Sequence, residues 1–251
     1  AGADPTALAY ADLAAAAIAW ASGDLHAAHD RAERCAGALA PTVPTLAATC
    51  DELSGDASAA MNDGAAARAA YERGLQLAKQ SDSAEAATSL GLALAELDLH
   101  DGKLDQAAAE AGALEAQAAE RGATSPEARA WVLVARVHVE QAASQQALDD
   151  LGHVKPETIE PLEVRLEHQL ALGHVNVLLG DPDGMSQIDS ARDEAERQGF
   201  PGLVLAARLA HLEAATATGD DVSRAQRELA TDARAHGYAL IAHLAETVAD
   251  R

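Results

Sequence analysis

The sequence predicts an all-α protein, an α-solenoid of about six antiparallel helix pairs followed by a C-terminal capping helix. Alanine dominates a composition with 49% hydrophobic and 2% aromatic residues, and alanine is the best helix former. Turn-forming positions also recur near every 39 residues, at intervals of 41, 38, 40, 38 and 39, at Gly23, Gly64, Gly102, Ala142, Gly180 and Gly219. A fixed period of this size is typical of repeat proteins, whose unit is one helix pair.

The predicted repeats follow one another without a linker, so we expect one domain over residues 1–251. They cover residues 5–40, 45–80, 83–121, 126–151, 160–198 and 201–236. Pro41 and Pro44 separate the first two, because proline cannot continue a helix. The second helix of repeat four is short, since Gly152 and Pro156 interrupt it.

The capping helix is predicted over residues 238–250. Its apolar side chains recur at helical spacing, at Leu240, Ile241, Leu244 and Val248. A solenoid needs such an element, because its last repeat otherwise leaves an apolar face in water.

The stretch 62–75 resembles the second helix of a tetratricopeptide repeat (TPR), with small Ala67, aromatic Tyr71 and the pair Gly74-Leu75. Two first helices carry a Leu-Gly pair similar to that family's, Leu90-Gly91 and Leu172-Gly173. Overall the chain is similar to TPR-like regions with long repeats attached to bacterial regulators and signalling kinases. The resemblance implies a right-handed α-solenoid whose first helices line a concave groove.

Carried over from the family, the groove positions are Trp20, Glu52, Asp56, Thr88, Leu92, Glu96, Arg136, Glu140 and His174. Such a mixed groove suits an extended or helical peptide with basic and apolar side chains. A clamp of lysines and asparagines for acidic tails is not expected, because Glu52, Asp56 and Glu96 occupy its positions. Trp20 has a second interpretation, as a core side chain that fills a gap between helices.

These residues predict a protein- or peptide-binding scaffold or sensory module of a bacterial regulatory protein. A small-effector-sensing domain of a transcriptional regulator or kinase is the alternative. This alternative predicts an enclosed, mainly apolar pocket near Trp20, Leu92 or Trp131. Self-association through an exposed terminal face is a third interpretation.

The net charge of −22, from 40 acidic and 18 basic residues, argues against a nucleic-acid partner, which requires a basic surface. It also disfavours adhesion to anionic membranes. No apolar stretch approaches the ~20 residues of a membrane-spanning helix. We expect a cytoplasmic protein, with an extracytoplasmic domain of a membrane-anchored regulator as the alternative. Because an initiator methionine is lacking, a piece of a longer protein is expected.

The sequence predicts no enzyme, no cofactor and no metal site. It lacks a Gly-x-Ser-x-Gly elbow and a phosphate-binding Gly-Lys-Ser/Thr loop. His26 and His29 share a helix face with Asp30 and Glu33 nearby, but a third ligand is undefined, so a solvated face is the favoured interpretation. No set of residues supplies an acid, a base and a nucleophile together.

Cys35 and Cys50 lie about equally far from the turn that joins two antiparallel helices, so we expect them abreast. Two interpretations stay open. They form a disulfide if the domain is extracytoplasmic, or they are two small buried apolar side chains in a reducing cytoplasm.

Overall fold

The computed structural model describes residues 5–248, and this part is built from thirteen α-helices and one short 3₁₀ helix. The helices are α1 Pro5–Ala21, α2 Leu25–Leu39, α3 Pro44–Ala60, α4 Gly64–Gln80, α5 Ala84–His100, α6 Leu104–Glu120, α7 Thr124–Glu140, α8 Ser144–Leu151, α9 Leu162–Leu178, α10 Gly184–Gln198, α11 Pro201–Ala217, α12 Ser223–Ala235 and α13 Ala239–Thr247. The predicted all-α solenoid is confirmed. Among these helices, none is both long and apolar enough to cross a membrane.

Tight left-handed turns join the helices at the predicted period. Gly23, Gly102, Gly180 and Gly219 have φ angles between 74° and 86°, a region that glycine enters without steric cost. Ala142 occupies the equivalent position with φ 57°. In the second repeat the left-handed residue is Asn62, with φ 62°. Gly64 instead opens α4, whose amino end is capped by the Asp63 carboxylate.

Repeat four is irregular where the sequence predicted it. Helix α8 has only eight residues, and the 3₁₀ helix Pro156–Thr158 lies between it and α9. Trp131 of α7 stacks on His153 in this segment, with ring centroids 4.4 Å apart. Helix α7 still contacts α9 directly, so the stack continues across the irregular segment.

Glycines inside helices set how closely the helices of a pair approach. A Cβ at Gly55 would lie 2.2 Å from Cε1 of Tyr71. The Tyr71 ring of α4 therefore packs directly against the backbone of α3 at this glycine. A Cβ at Gly184 would lie 2.7 Å from the Val177 nitrogen and 2.8 Å from the Gly173 oxygen. A Cβ at Gly91 would lie 2.9 Å from Leu114, so this glycine also lets α6 pack closely on α5.

The superhelix brings the first repeat against the last. A Cβ at Gly23 would lie 2.8 Å from Pro201 and 3.2 Å from the Tyr238 hydroxyl. Leu25 belongs to one buried cluster with Leu205 and Leu229. Helix α13 packs on α11 and α12 as a capping helix should, and it also contacts α3. The predicted last residues of this helix, 249–250, lie outside the described residues.

Cys35 of α2 and Cys50 of α3 lie abreast, and both are fully buried. The structure joins them in a disulfide with Cα atoms 5.9 Å apart, within the range that such bonds require. The expected placement of the two cysteines abreast is therefore present in the structure.

Candidate functional site

A cavity of about 600 Å³ lies between α5, α7, α9, α11 and α13. Most of its wall is apolar, with polar side chains at a few points. The apolar residues include Leu92, Val132, Leu133, Leu170, Leu203, Leu209, Leu240, Ile241 and Leu244, and the charged ones are Glu96, Arg129, Arg136, Glu140, Glu167 and Glu213. Its volume falls in the range of about 300–1,000 Å³ common for ligand sites.

The structure brings five of the predicted groove residues together in this wall, namely Leu92, Glu96, Arg136, Glu140 and His174. The other four lie elsewhere. Glu52 and Asp56 belong to a polar cluster on α3 beside the cavity. Trp20 is half-buried and packs at the contact between the first and last repeats, in line with its interpretation as a core side chain.

Thr88 departs most clearly from its predicted place. It is 2% exposed, and its hydroxyl donates to the Ala84 carbonyl at 2.9 Å while accepting from Arg121 at 2.6 Å. Its hydroxyl is thus hydrogen-bonded within the helix stack and does not line the cavity. Spacing from the Leu-Gly pair misplaced it, because residue 88 turns toward the neighbouring helix.

Glu96 and Arg136 form an ion pair across neighbouring first helices. His100 lies 4.0 Å from the same carboxylate. Burial alone would raise the pKa of Glu96, but Arg136 and His100 outweigh it and lower the pKa to about 2. The pair is therefore ionised at neutral pH and supplies both signs of charge to the wall.

His174 of α9 and Glu213 of α11 also meet in the wall, with Nδ1 of the histidine 3.9 Å from the carboxylate. Burial lowers the pKa of His174 to about 4, because desolvation disfavours the charged imidazole. This histidine is neutral at pH 7. Four glutamates and two arginines, Arg129 and Arg136, line the wall, so acidic side chains outnumber basic ones there.

A polar cluster on α3, α4, α5 and α7 borders the cavity. Tyr71 donates its hydroxyl to Asp56 at 2.8 Å. Arg129 donates to the Ser89 hydroxyl at 3.0 Å, and Ser89 in turn donates to Glu52. Burial and the Glu52 charge raise the pKa of Asp56 to about 7, against the opposing effects of Tyr71 and Arg129.

Replacing Asp56 by asparagine is expected to stabilise the protein in a pH-dependent way. A carboxyl whose pKa is about 7 when folded, against a model value of 3.8, contributes stability that is complete below pH 3.8 and lost as pH rises to 7. Asparagine stays neutral and still accepts from Tyr71. The gain in Tm of Asp56→Asn over the parent should therefore grow between pH 4 and 7, as thermal melting checks. A gain that shrinks over this window would contradict the raised pKa.

Reasoning from the sequence missed Arg129, Glu167 and Glu213 in the cavity wall. Arg129 lies seven residues before Arg136, and Glu167 lies seven before His174. A seven-residue step keeps the same helix face. The positions two helical turns before the predicted Arg136 and His174 therefore identify Arg129 and Glu167. Burial raises the pKa of Glu167, with Arg129 opposing it.

His29, a candidate metal ligand by its spacing from His26, bonds to serine side chains in the structure. Its Nδ1 lies 3.2 Å from the hydroxyls of Ser54 and Ser58. Ser54 also donates to Glu33 at 2.7 Å. Among residues 5–248, no group of His, Cys, Asp and Glu side chains is arranged to hold a metal ion.

Comparison with solved structures identifies the architecture. The chain is similar to the Rap conjugation gene regulator of the plasmid pLS20 in complex with the Phr* peptide, with TM-score 0.71 and 15% identity over 97% of this chain and 74% of that one. It is also similar to a Rap protein complexed with Competence and Sporulation Factor, with TM-score 0.71 and 10% identity over 99% of this chain and 78% of that one. No protein-family model and no curated protein sequence matches the chain. The chain therefore has an α-solenoid fold that it shares with these two Rap proteins.

Proposed function

We propose that the chain is a regulatory module that binds a short peptide in the cavity on its concave side. The cavity itself carries the proposal, since it combines apolar walls with a few charged groups, as peptide and ligand sites do. One solved protein of the same fold is a conjugation gene regulator in complex with the Phr* peptide, and another is a Rap protein complexed with Competence and Sporulation Factor. Both support this role.

The wall chemistry favours a peptide with basic and apolar side chains. Carboxylates outnumber guanidinium groups four to two in the wall, and the whole chain has a charge of −22. A basic group gains Coulomb energy in such a site, where a carboxylate would be repelled. Leucines and Ile241 on α11 and α13 supply contacts for apolar side chains.

The proposed role is binding without chemistry. Glu96 is held as an ion pair by Arg136, and the neutral His174 lies 3.9 Å from Glu213. Neither arrangement places a base beside a nucleophile. We therefore assign the cavity no reaction and no cofactor.

Filling the cavity is expected to abolish peptide capture. Ala206 lines the wall on α11, so the Ala206→Trp side chain would occupy the space of a ligand. The parent chain is immobilised and offered a mixed library of short synthetic peptides, and retained peptides are identified by mass spectrometry. We expect the parent to enrich peptides with basic and apolar residues, and Ala206→Trp to lose at least about tenfold in affinity, or roughly 1.4 kcal/mol.

The matched control is Ala116→Trp, at an exposed position of α6 outside the cavity wall. It should retain the same peptides as the parent. Equal capture by the parent and both variants would place peptide binding on another surface. If the parent enriches nothing, the proposal fails.

A small effector is the second candidate ligand, and the enclosure of the cavity by α13 favours it. A volume of about 600 Å³ is also the size of a drug-like ligand site. Native mass spectrometry of the protein purified from its source separates the two. An adduct that fragments into amino acids indicates a peptide, and any other adduct indicates an effector.

We propose the cytoplasm as the compartment of the module, in keeping with the regulatory role. The disulfide between Cys35 and Cys50 supports the alternative, an extracytoplasmic domain, because such bonds persist in oxidising compartments. Thiol alkylation of the protein in intact cells decides between them. Two reactive thiols after denaturation indicate the cytoplasm, and none indicates the outside.

A further inference from the structure

Glu167 of α9 is a charged residue of the cavity wall that has no close partner. It lines the cavity and is exposed. Within the described part of the chain its carboxylate forms no hydrogen bond and no ion pair. Other charged groups of the wall are bonded, as Glu96 is to Arg136 and Arg129 is to Ser89. The Glu167 carboxylate is therefore available to a group of the ligand.

Protein surrounds this carboxylate even though it reaches the cavity space. Burial raises the pKa of Glu167, and Arg129 and Arg136 oppose the rise without cancelling it. Neither arginine forms an ion pair with Glu167, and their guanidinium groups are bonded to Ser89 and Glu96 instead. A carboxylate taken out of bulk water loses hydration energy, which a hydrogen-bonded cation restores. A positively charged ligand group would supply that cation.

The rest of the wall suits an apolar stem behind such a charged group. Leu170 lies three residues after Glu167, on the same face of α9. Leu203 and Leu209 of α11 and Ile241 of α13 line the same cavity. Lysine and arginine side chains place their methylene stems along apolar surface and their charged ends at polar groups. The cavity offers both kinds of surface.

We infer that Glu167 selects a ligand with a cationic group on an apolar stem, an alkylguanidinium or an alkylammonium, by forming an ion pair with it. A hydrogen bond between two charged groups is stronger than one between neutral groups. The cation comes from an arginine or lysine side chain or from the amino terminus of a peptide. This inference rests on the proposed function of the cavity and adds the residue that sets its specificity.

Small probes test the carboxylate without a peptide. Pentylguanidinium, pentylammonium and the neutral pentanol are titrated into the parent, and binding is followed by the chemical shifts of the protein in NMR spectra. We expect both cations to bind roughly tenfold more tightly than pentanol, the size of effect that a hydrogen bond to a charged group produces. A parent that binds neither cation, or that binds pentanol as tightly, would overturn the inference.

Two isosteric variants assign this selectivity to one residue. In Glu167→Gln the affinity for both cations should fall to that for pentanol. The control is Glu163→Gln, which removes an exposed carboxylate one turn earlier on α9 and outside the cavity wall, and it should bind the probes as the parent does. Unchanged cation affinity in Glu167→Gln would show that another group holds the cation.

Peptides then distinguish the source of the cation. Each peptide that the parent retains is synthesised again with an acetylated amino terminus, and separately with norleucine for lysine or citrulline for arginine. The change that weakens binding to the parent, but not to Glu167→Gln, identifies the group at Glu167. If neither change weakens binding, the inference is wrong while peptide binding stands. If the parent retains no peptide, the proposed function fails and the probe titration still decides the role of Glu167.

Discussion

Alanine at position 55 is expected to destabilise the protein by about 2 kcal/mol or more, although alanine is the better helix former. Gly55 lies within α3, where helix propensity alone would make the change stabilising by up to about 1 kcal/mol. The new Cβ would lie 2.2 Å from the buried Tyr71 ring. Overpacking of this kind costs roughly 1–3 kcal/mol.

The cost extends to the polar cluster beside the cavity. A displaced Tyr71 ring would break the 2.8 Å hydrogen bond to Asp56 and leave that carboxyl without its donor, at about 1–3 kcal/mol. Urea denaturation measures the free energy of unfolding. The control is Gly112→Ala on α6, where the added Cβ meets nothing within 4 Å, and it should stabilise the protein. A Gly55→Ala variant at least as stable as the parent would refute the packing described for α3 and α4.

Loss of the bond between Cys35 and Cys50 is expected to lower the free energy of unfolding by about 3 kcal/mol. The bond closes a loop with a sequence separation of 15, for which chain entropy gives a stabilisation of this size. Denaturation curves of the oxidised parent with and without a reductant measure it directly.

The double variant Cys35→Ala/Cys50→Ala serves as the control for reduction. It should unfold at the lower denaturant concentration whether or not a reductant is present. A parent whose stability is the same in both conditions would show that the two cysteines are not bonded in solution.

The helix pairs could be predicted from the sequence because each is encoded locally. A glycine that suits a left-handed turn recurs at positions 23, 102, 180 and 219, and between the turns apolar residues follow the helical period. The one displaced turn, at Asn62 instead of Gly64, shows the limit of this signal. Asparagine also enters the left-handed region, so the turn can form at Asn62, two residues before the glycine.

The cavity could be predicted only in part, because its shape depends on angles summed over all repeats. Leu92, Glu96 and Arg136 could be predicted, because each lies on the first helix of a repeat at a position that the family resemblance assigns to the groove. The contact of Gly23 with Pro201 joins residues far apart in the chain, and no local pattern encodes it. For the same reason the residues of α13 were predicted to cap the stack, whereas they also close the cavity.

Amide hydrogen exchange of the chain, with and without the peptide that it retains most strongly, tests most directly whether the concave cavity is the binding site. Binding there should slow exchange in α5, α7, α9, α11 and α13, which form the wall, and leave α4, α6 and α10 largely unchanged. Protection confined to α4, α6 or α10 would contradict the account, because those helices contribute almost nothing to the cavity wall.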